Sequence, residues 1–166
     1  MDRSIIQSGD LLIWSTDKKS WFSRACLSLV RFFTSSEFAH VAIAWRLEGR
    51  LYIVEATAPM VRLTPVWDED EFYHVAADLT WSQSAEEFLL GVIGCHYSIM
   101  DSVRAYLGIS VANDQKYQCA ELVNLFYRHN GIDIPDDSTT PSSVVTSLLM
   151  SRSCVIRKFN PVKGVQ

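Results

Sequence analysis

The segment from residue 38 to residue 57 constrains the fold most, because it has the pattern of a β-hairpin. Large and small side chains alternate along its first half, as in a strand whose two faces differ. One face carries Val41, Ile43 and Trp45, and the other carries His40, Ala42 and Ala44. Glu48-Gly49 fits a two-residue hairpin turn, since glycine readily adopts positive φ. Residues 51–57 are then predicted to form the return strand.

The position of this turn fixes the register of the predicted hairpin. With Glu48-Gly49 as the loop, counting back along both strands puts Ala42 opposite Glu55. His40 and Glu55 then lie on one face as diagonal neighbours, within reach of each other's side chains. A slip of one residue would put them on opposite faces, so the register predicts a contact that a structure can contradict.

The rest of the chain predicts a mixed α+β fold in one domain spanning residues 1–166. Strands are expected at 11–14, 61–66, 71–77 and 155–159, and helices at 21–33, 84–93, 99–107, 117–130 and from Thr140-Pro141 onward. Aromatic residues recur at helical spacing in 21–33, which favours core packing, with a lid over a site as the alternative. The sequence contains no linker, repeat or low-complexity stretch that would divide it.

The composition excludes several classes of protein. The chain has 166 residues, of which 48% are hydrophobic and 20% charged, as in a globular domain. Its formal net charge is −4 with dispersed basic residues, which argues against nucleic-acid binding. No apolar run approaches the roughly 18 residues that cross a bilayer, and the N-terminus lacks a signal-peptide pattern. We expect synthesis in the cytoplasm, with any export by a non-classical route such as phage lysis.

The four cysteines indicate neither a disulfide framework nor a metal site. Cys26, Cys95, Cys119 and Cys154 are widely spaced, with no C-x-x-C pair, and should stay reduced in a cytoplasm. Most free cysteines pack as small buried hydrophobes, which is the expectation for three of these. Zinc is a weak alternative, because the adjacent Cys95 and His96 have no second pair at ligand spacing.

Cys119 is the candidate nucleophile, because it lies early in a predicted helix. A helix N-terminus or a nearby protonated histidine lowers the pKa of a thiol from about 8.5 and so favours the reactive thiolate. The helical stripe that it forms with Leu122, Val123 and Phe126 also fits an inert core thiol, and on periodicity alone the inert reading is favoured. With Asp114 as the helix cap, the thiol would lie in the second turn, where the dipole helps less.

His40 and Glu55 favour the catalytic interpretation. Small neighbours on the face of His40 leave room for the Cys119 helix to approach. A carboxylate that points into a sheet–helix interface is rarely buried unpaired, and His40 is the obvious partner of Glu55. Their contact would fix the imidazole tautomer and leave the other ring nitrogen for a thiol, as in a catalytic triad.

The other three histidines are weaker candidates for a general base. His96 and His129 are expected at helix ends, where a protonated imidazole complements the helix dipole. His74 falls in a predicted strand but has no obvious acid partner. The sequence therefore predicts His40 as the base.

Four short motifs occur in order along the chain: Gly9-Asp10-Leu11-Leu12-Ile13-Trp14, Phe38-Ala39-His40-Val41-Ala42-Ile43-Ala44, Val54-Glu55-Ala56 and Tyr117-Gln118-Cys119-Ala120-Glu121-Leu122-Val123. Together they resemble the circularly permuted NlpC-type, papain-like cysteine hydrolases, the YiiX-like group. In that family an H-V strand supplies the base, an E-A strand supplies the acid and a C-[SA]-E-[LF]-V helix supplies the nucleophile. Segments 94–97 and 131–144 also resemble family segments, so the resemblance covers nearly the whole chain.

The resemblance implies a papain-like fold, with an antiparallel sheet packed against helices and the nucleophile helix over the sheet. It carries over Cys119 as nucleophile, His40 as base and Glu55 as acid. The implied reaction is acyl transfer through a thioester, for which no metal or organic cofactor is expected. Ala120 stands where a serine commonly follows the nucleophile, a departure that leaves the triad intact.

The same resemblance implies substrate contacts near the nucleophile. An oxyanion hole would include the backbone amide of Cys119. Gln118, Tyr117 and Tyr97 become candidates for substrate or oxyanion contacts. Ser98 stands where the family often has aspartate, at a further candidate contact with substrate.

Within the superfamily, cleavage of peptidoglycan stem peptides is the commonest activity, and the resemblance favours a cysteine peptidase of this kind. A lipid-directed acyltransferase or hydrolase, similar to the lecithin–retinol acyltransferase group, is the second hypothesis, and the aromatic helix would suit it. A third is a non-catalytic binding domain in which the trio is a relic, although an intact trio argues against this. The expected partner is a peptide, peptidoglycan or acyl-lipid substrate, and the sequence leaves the oligomeric state open.

Overall fold

A computed structural model of the chain describes residues 2–15, 38–68, 70–97, 116–136, 138, 140–151 and 154–161. Strands of the described residues are β1 (Leu11–Ser15), β2 (Phe38–Leu47), β3 (Arg50–Thr57), β4 (Met60–Pro65), β5 (Phe72–Val75), β6 (His96–Tyr97), β7 (Lys116–Tyr117) and β8 (Ile156–Phe159). Helices among them are α1 (Gln83–Val92), α2 (Cys119–His129) and α3 (Pro141–Ser151), with a short 3-10 turn at Arg3–Ile5. The helices predicted at 21–33 and 99–107, and Cys26, lie outside these residues.

The eight described strands form one sheet in the order β7-β6-β4-β3-β2-β1-β5-β8. Neighbours run antiparallel except for β6 and β7, which pair in parallel. The mixed α+β class predicted from the sequence is therefore confirmed. The strand predicted at 155–159 forms an edge of this sheet beside β5.

The β2–β3 hairpin has the predicted register. Its two-residue turn at 48–49 has positive φ at both positions, 48° and 80°. The pairing runs from Leu47 opposite Arg50 to Ile43 opposite Val54. Because side chains alternate along each strand, this register places His40 and Glu55 on the same face of the sheet.

The two faces of the sheet carry different apolar clusters. The larger cluster joins Val41, Ile43, Trp45 and Val54 of the sheet to buried residues of all three helices, among them Leu89, Val123, Phe126 and Leu148. The smaller one contains Ile6, Leu12, Trp14, Ala42, Ala44, Ile53, Phe72 and Phe159. The body of the Cys119 helix covers the face of the large side chains and not the alanine face as expected, because those side chains supply the apolar area that an amphipathic helix buries. The first residue of the helix, Cys119, still reaches His40.

Two helix starts differ from the prediction and one matches it. The N-cap of α1 is Ser82, whose hydroxyl accepts the backbone N–H of Ala85 at 3.2 Å, whereas the sequence suggested a capping box beginning at Ser84. Helix α2 begins at Cys119, later than predicted, because residue 117 belongs to β7. Helix α3 begins at Pro141 as expected, since proline suits a first helical position.

Candidate active site

Cys119 is the first residue of helix α2. Gln118 precedes it as the N-cap, with extended backbone angles (φ −102°, ψ 163°). The backbone N–H of Gln118 donates to Glu121 Oε2 at 3.4 Å, which ties the helix start to its first turn. The thiol therefore lies at the positive end of the helix dipole, where an anion is favoured, rather than in the second turn.

His40 contacts Glu55 as the hairpin register predicted. His40 Nε2 lies 2.8 Å from Glu55 Oε2. The His40 side chain is 19% exposed, whereas the Glu55 side chain is fully buried. The ring of Trp14 packs beside the imidazole with centroids 5.6 Å apart, which limits its movement. Because Nε2 contacts Glu55, we assign the hydrogen bond between His40 and Cys119 to Nδ1.

A hydrogen bond joins Cys119 to His40, and each residue changes the ionisation of the other. Burial opposes the Cys119 thiolate, but hydrogen bonding and charge from His40, with backbone hydrogen bonds at Val41 and Ala120, lower the pKa of Cys119 below its ordinary 9.0. Burial likewise opposes the His40 cation, but hydrogen bonds with Cys119 and Glu55 raise the pKa of His40 from 6.5 to about 10. Both directions favour a thiolate–imidazolium pair.

The Glu55 carboxylate receives hydrogen bonds on both oxygens. His40 contacts Oε2, while Arg62 Nε at 2.8 Å and Thr64 Oγ1 at 3.1 Å contact Oε1. Burial raises the pKa of Glu55, but these partners, His40 before Arg62, outweigh it and hold the pKa below its ordinary value. The buried carboxyl group is therefore stabilised as an anion.

Sequence reasoning missed Arg62 and Thr64. Strand β4 pairs with β3 so that Arg62 lies directly opposite Glu55, and Thr64 lies two residues further along, opposite Ile53. The predicted strands leave residues 58–60 between them, and a count back from those bounds puts Leu63 opposite Glu55. In the structure β4 begins one residue earlier, at Met60, so residues 58–59 form the turn and Arg62 pairs with Glu55.

The three residues proposed for substrate or oxyanion contact lie close to the nucleophile in the chain or in the sheet. Tyr97 pairs with Tyr117 across the parallel β6–β7 ladder. Tyr117 is partly buried, and burial is the main cause of its raised pKa, with smaller contributions from Cys95 and Glu121. Gln118 is 4% exposed, directly before the nucleophile. Their contact with a substrate stays a prediction.

His74 has an acid partner, and the expectation that it lacks one is wrong. His74 Nε2 lies 2.8 Å from Asp10 Oδ2, and both residues are buried. Asp10 also accepts the backbone N–H groups of Gln7 at 2.8 Å and Ala77 at 3.0 Å. The partner is 64 residues away in sequence, so it becomes visible only once β5 is known to pair with β1.

The remaining histidines lie outside this arrangement. His96 is exposed and belongs to β6, not to a helix end as expected. His129 is the last residue of α2, as predicted, and its Nε2 lies 2.9 Å from the hydroxyl of Ser84. Neither has a buried carboxylate partner among the interactions described for the structure.

The cysteines of the described residues, Cys95, Cys119 and Cys154, are free thiols. Cys95 and Cys154 are only partly buried, although both pack against the larger apolar cluster. Within the described ranges, no three His, Cys, Asp or Glu side chains are grouped so that they could hold a metal ion. No helix in the same part of the chain is long and apolar enough to cross a membrane.

Comparison with known proteins supports the fold. No protein-family model matches the sequence, and no curated protein matches it either. Among solved structures, the metalloprotein YiiX from Escherichia coli O157:H7 matches with a TM-score of 0.57 and 17% sequence identity, over 87% of this chain and 81% of YiiX. The chain therefore shares a fold with YiiX, as its motifs suggested.

Proposed function

We propose that this protein is a cysteine hydrolase in which Cys119, His40 and Glu55 form a catalytic triad. The observation that carries the proposal is the position of His40, which links a buried carboxylate at 2.8 Å to a thiol at a helix start. A chain of nucleophile, base and orienting acid is the arrangement that activates a thiol for acyl transfer. The fold shared with YiiX agrees with the permuted papain-like interpretation of the motifs.

In the proposed reaction the Cys119 thiolate attacks the carbonyl carbon of an amide or ester. The backbone N–H of Cys119, at the start of α2, would stabilise the developing oxyanion. His40 donates its proton to the leaving amine or alcohol, which leaves a thioester on Cys119. His40 then accepts a proton from water as the water attacks the thioester. The carboxylic acid product is released, and the Cys119 thiolate and the His40 imidazolium are restored. Glu55 holds the imidazole in orientation throughout.

For the substrate we propose an amide bond in the stem peptide of peptidoglycan. The support is the resemblance of the four sequence motifs to the superfamily in which this activity is commonest. YiiX is described as a metalloprotein. The described residues of this chain do not form a metal-binding group, so no step of the proposed reaction is assigned to a metal.

The proposal can be tested with an activated ester before the natural substrate is known. We expect the protein to hydrolyse p-nitrophenyl acetate through a thioester that intact-protein mass spectrometry detects on Cys119. Cys119→Ser should abolish the adduct, whereas Cys95→Ser, at another partly buried thiol, should keep it. An adduct on another residue, or hydrolysis that survives Cys119→Ser and depends on added divalent metal, would overturn the proposal.

Peptidoglycan stem peptides and phosphatidylcholine vesicles then distinguish the substrate classes. The stem-peptide proposal predicts that new amino groups appear on the peptides and that Cys119→Ser stops their release. Release of fatty acid from the vesicles instead would replace the peptidase by the lipid-directed alternative. If the thiol is acylated by neither substrate nor by the activated ester, the binding-domain hypothesis becomes the better account.

A further inference from the structure

We propose that Arg62 is a positioning residue that keeps Glu55 ionised and oriented, and through it controls the Cys119–His40 pair. This inference rests on the proposed function of the triad and extends it to a fourth side chain. Arg62 does not belong to the predicted catalytic set, and it lies on β4, a strand that contributes no member of the triad. Its action would pass through the carboxylate rather than through contact with substrate.

The geometry divides the two oxygens of Glu55 between two groups of donors. Arg62 Nε and Thr64 Oγ1 both bind Oε1, at 2.8 and 3.1 Å. Oε2 is thereby left for His40, which binds it at 2.8 Å. Because β3 and β4 pair directly at Glu55 and Arg62, the sheet itself holds the guanidinium in place. The carboxylate therefore has a fixed rotation, with Oε2 directed at the imidazole.

The charges around Glu55 give Arg62 a second role. In the reactive state the cluster contains two anions, Cys119 and Glu55, and two cations, His40 and Arg62. Glu55 is fully buried, and a buried carboxylate without sufficient positive charge tends to take up a proton. Arg62 is 43% exposed, so its own charge keeps contact with water while its Nε binds the buried oxygen. A protonated Glu55 would stabilise the His40 cation much less.

Removing the guanidinium should therefore change the pH dependence of the thiol. In Arg62→Met the alkyl stem stays but the charge is lost, so Glu55 and Cys119 should ionise at higher pH. We expect the acidic limb of the Cys119 alkylation rate to move upward by up to about one pH unit. This is less than the roughly one to three units that a directly contacting opposite charge contributes, because Arg62 acts on Cys119 through Glu55. Arg62→Lys restores charge without the planar fork and should recover part of the shift.

The experiment combines two measurements on the full-length chain. Carbon-13 NMR titration of the Glu55 carboxyl reports its ionisation directly, and iodoacetamide alkylation reports that of Cys119. Arg157→Met, at an exposed arginine in β8, is the matched control and should leave both titrations unchanged. Thr64→Val should shift the Glu55 titration less than Arg62→Met, because it removes a hydrogen bond without removing a charge.

The outcomes separate this inference from the proposed function. An unchanged Glu55 titration in Arg62→Met, with only a lower melting temperature, would make Arg62 structural and overturn the inference. A rise in KM for ester hydrolysis with unchanged pH limbs would instead make it a substrate contact, which also overturns it. If wild-type Cys119 alkylates like an ordinary thiol, the proposed function fails, while the NMR titration still decides whether Arg62 controls Glu55.

Discussion

Two histidine–carboxylate pairs among the described residues have the same contact but different surroundings. His40–Glu55 and His74–Asp10 each join Nε2 to a carboxylate oxygen at 2.8 Å. The other ring nitrogen distinguishes them. His74 is fully buried, and its Nδ1 has no hydrogen-bond partner within the described ranges. His40 is 19% exposed and hydrogen-bonds to Cys119.

The two carboxylates, Asp10 and Glu55, also differ in their hydrogen-bond partners. Asp10 binds the backbone N–H groups of Gln7 and Ala77, so its pair with His74 ties β1 to the chain around β5. The described partners of Glu55 are all side chains, and two of them, His40 and Arg62, carry positive charge in the reactive state. A histidine–carboxylate contact therefore does not identify a catalytic site by itself. The group that faces the second ring nitrogen decides what the pair can do.

The largest expected effect is on catalysis, and it should fall on one pair only. In His40→Gln the amide can keep a hydrogen bond to Glu55 but cannot transfer a proton. We expect kcat/KM for p-nitrophenyl acetate to fall by about 10²–10⁴-fold, the usual contribution of a general acid–base group. The matched variant His74→Gln should stay within about twofold of wild type per folded molecule, since its ring takes no part in the reaction. Similar losses of kcat/KM in His40→Gln and His74→Gln would contradict the assignment of catalysis to the His40 pair alone.

Replacing each histidine by alanine should affect stability in the opposite order to activity, with the larger loss at His74. His74→Ala leaves the buried Asp10 without its side-chain partner, and we expect it to lower the free energy of unfolding by about 3–5 kcal/mol. His40→Ala should cost less, because its ring is partly exposed and Arg62 still binds Glu55. Urea denaturation followed by circular dichroism measures both. A larger loss for His40→Ala than for His74→Ala would contradict this assignment.

Replacing the two carboxylates, Glu55 and Asp10, should also change activity unequally, but by less than replacing the histidines. Glu55→Gln keeps the shape of the side chain but removes the charge that supports the His40 cation. Loss of one charge-assisted hydrogen bond is worth about 1.5–3 kcal/mol, which corresponds to a fall in kcat/KM of roughly 10–100-fold. Asp10→Asn should lower stability and leave the kcat/KM of the folded protein within about twofold of wild type. An Asp10→Asn loss as large as that of Glu55→Gln would show that the two networks are coupled.

The smallest effect concerns the pH dependence of stability. His40 has a raised pKa, so its contribution is complete below pH 6.5 and is lost as pH rises towards about 10. Cys119 has a lowered pKa, so its contribution is complete above pH 9.0 and is lost as pH falls. Between 6.5 and 9.0 the two changes oppose each other, and above 9.0 only the loss from His40 remains.

Unfolding measurements in this upper range test the linkage. We expect wild-type stability to fall above pH 9.0 by at most about 1.4 kcal/mol per pH unit relative to His40→Ala. His74→Gln should keep the same fall as wild type, because it leaves the Cys119–His40 pair intact. A fall that persists in full in His40→Ala would assign it to other groups.

The β2–β3 hairpin and the His40–Glu55 contact could be predicted because residues close together in the sequence determine both. A two-residue turn and a pattern of alternation fix the register, and the register fixes which side chains share a face. That reasoning placed His40 beside Glu55 correctly. It failed for the sheet face that the body of the Cys119 helix covers, because that face depends on where large apolar side chains lie in the assembled sheet.

The other corrections arose from pairing between distant segments. The His74–Asp10 contact joins residues 64 apart through the order of strands in the sheet, which no local pattern specifies. Cys119 stands at the first position of α2 because Tyr117 pairs with β6, and this shortens the helix predicted from periodicity. Pairing between distant strands therefore places Cys119 at the helix N-terminus, the position that most favours its ionisation.

The most direct test of the central claim is the rate of Cys119 alkylation by iodoacetamide as a function of pH, in wild type, His40→Ala and His74→Gln. The triad predicts a thiolate that reacts well below the ordinary pKa of 9.0 in wild type and His74→Gln, and that loses this reactivity in His40→Ala. A slow thiol whose rate follows an ordinary cysteine titration, with no difference between the three proteins, would contradict the account.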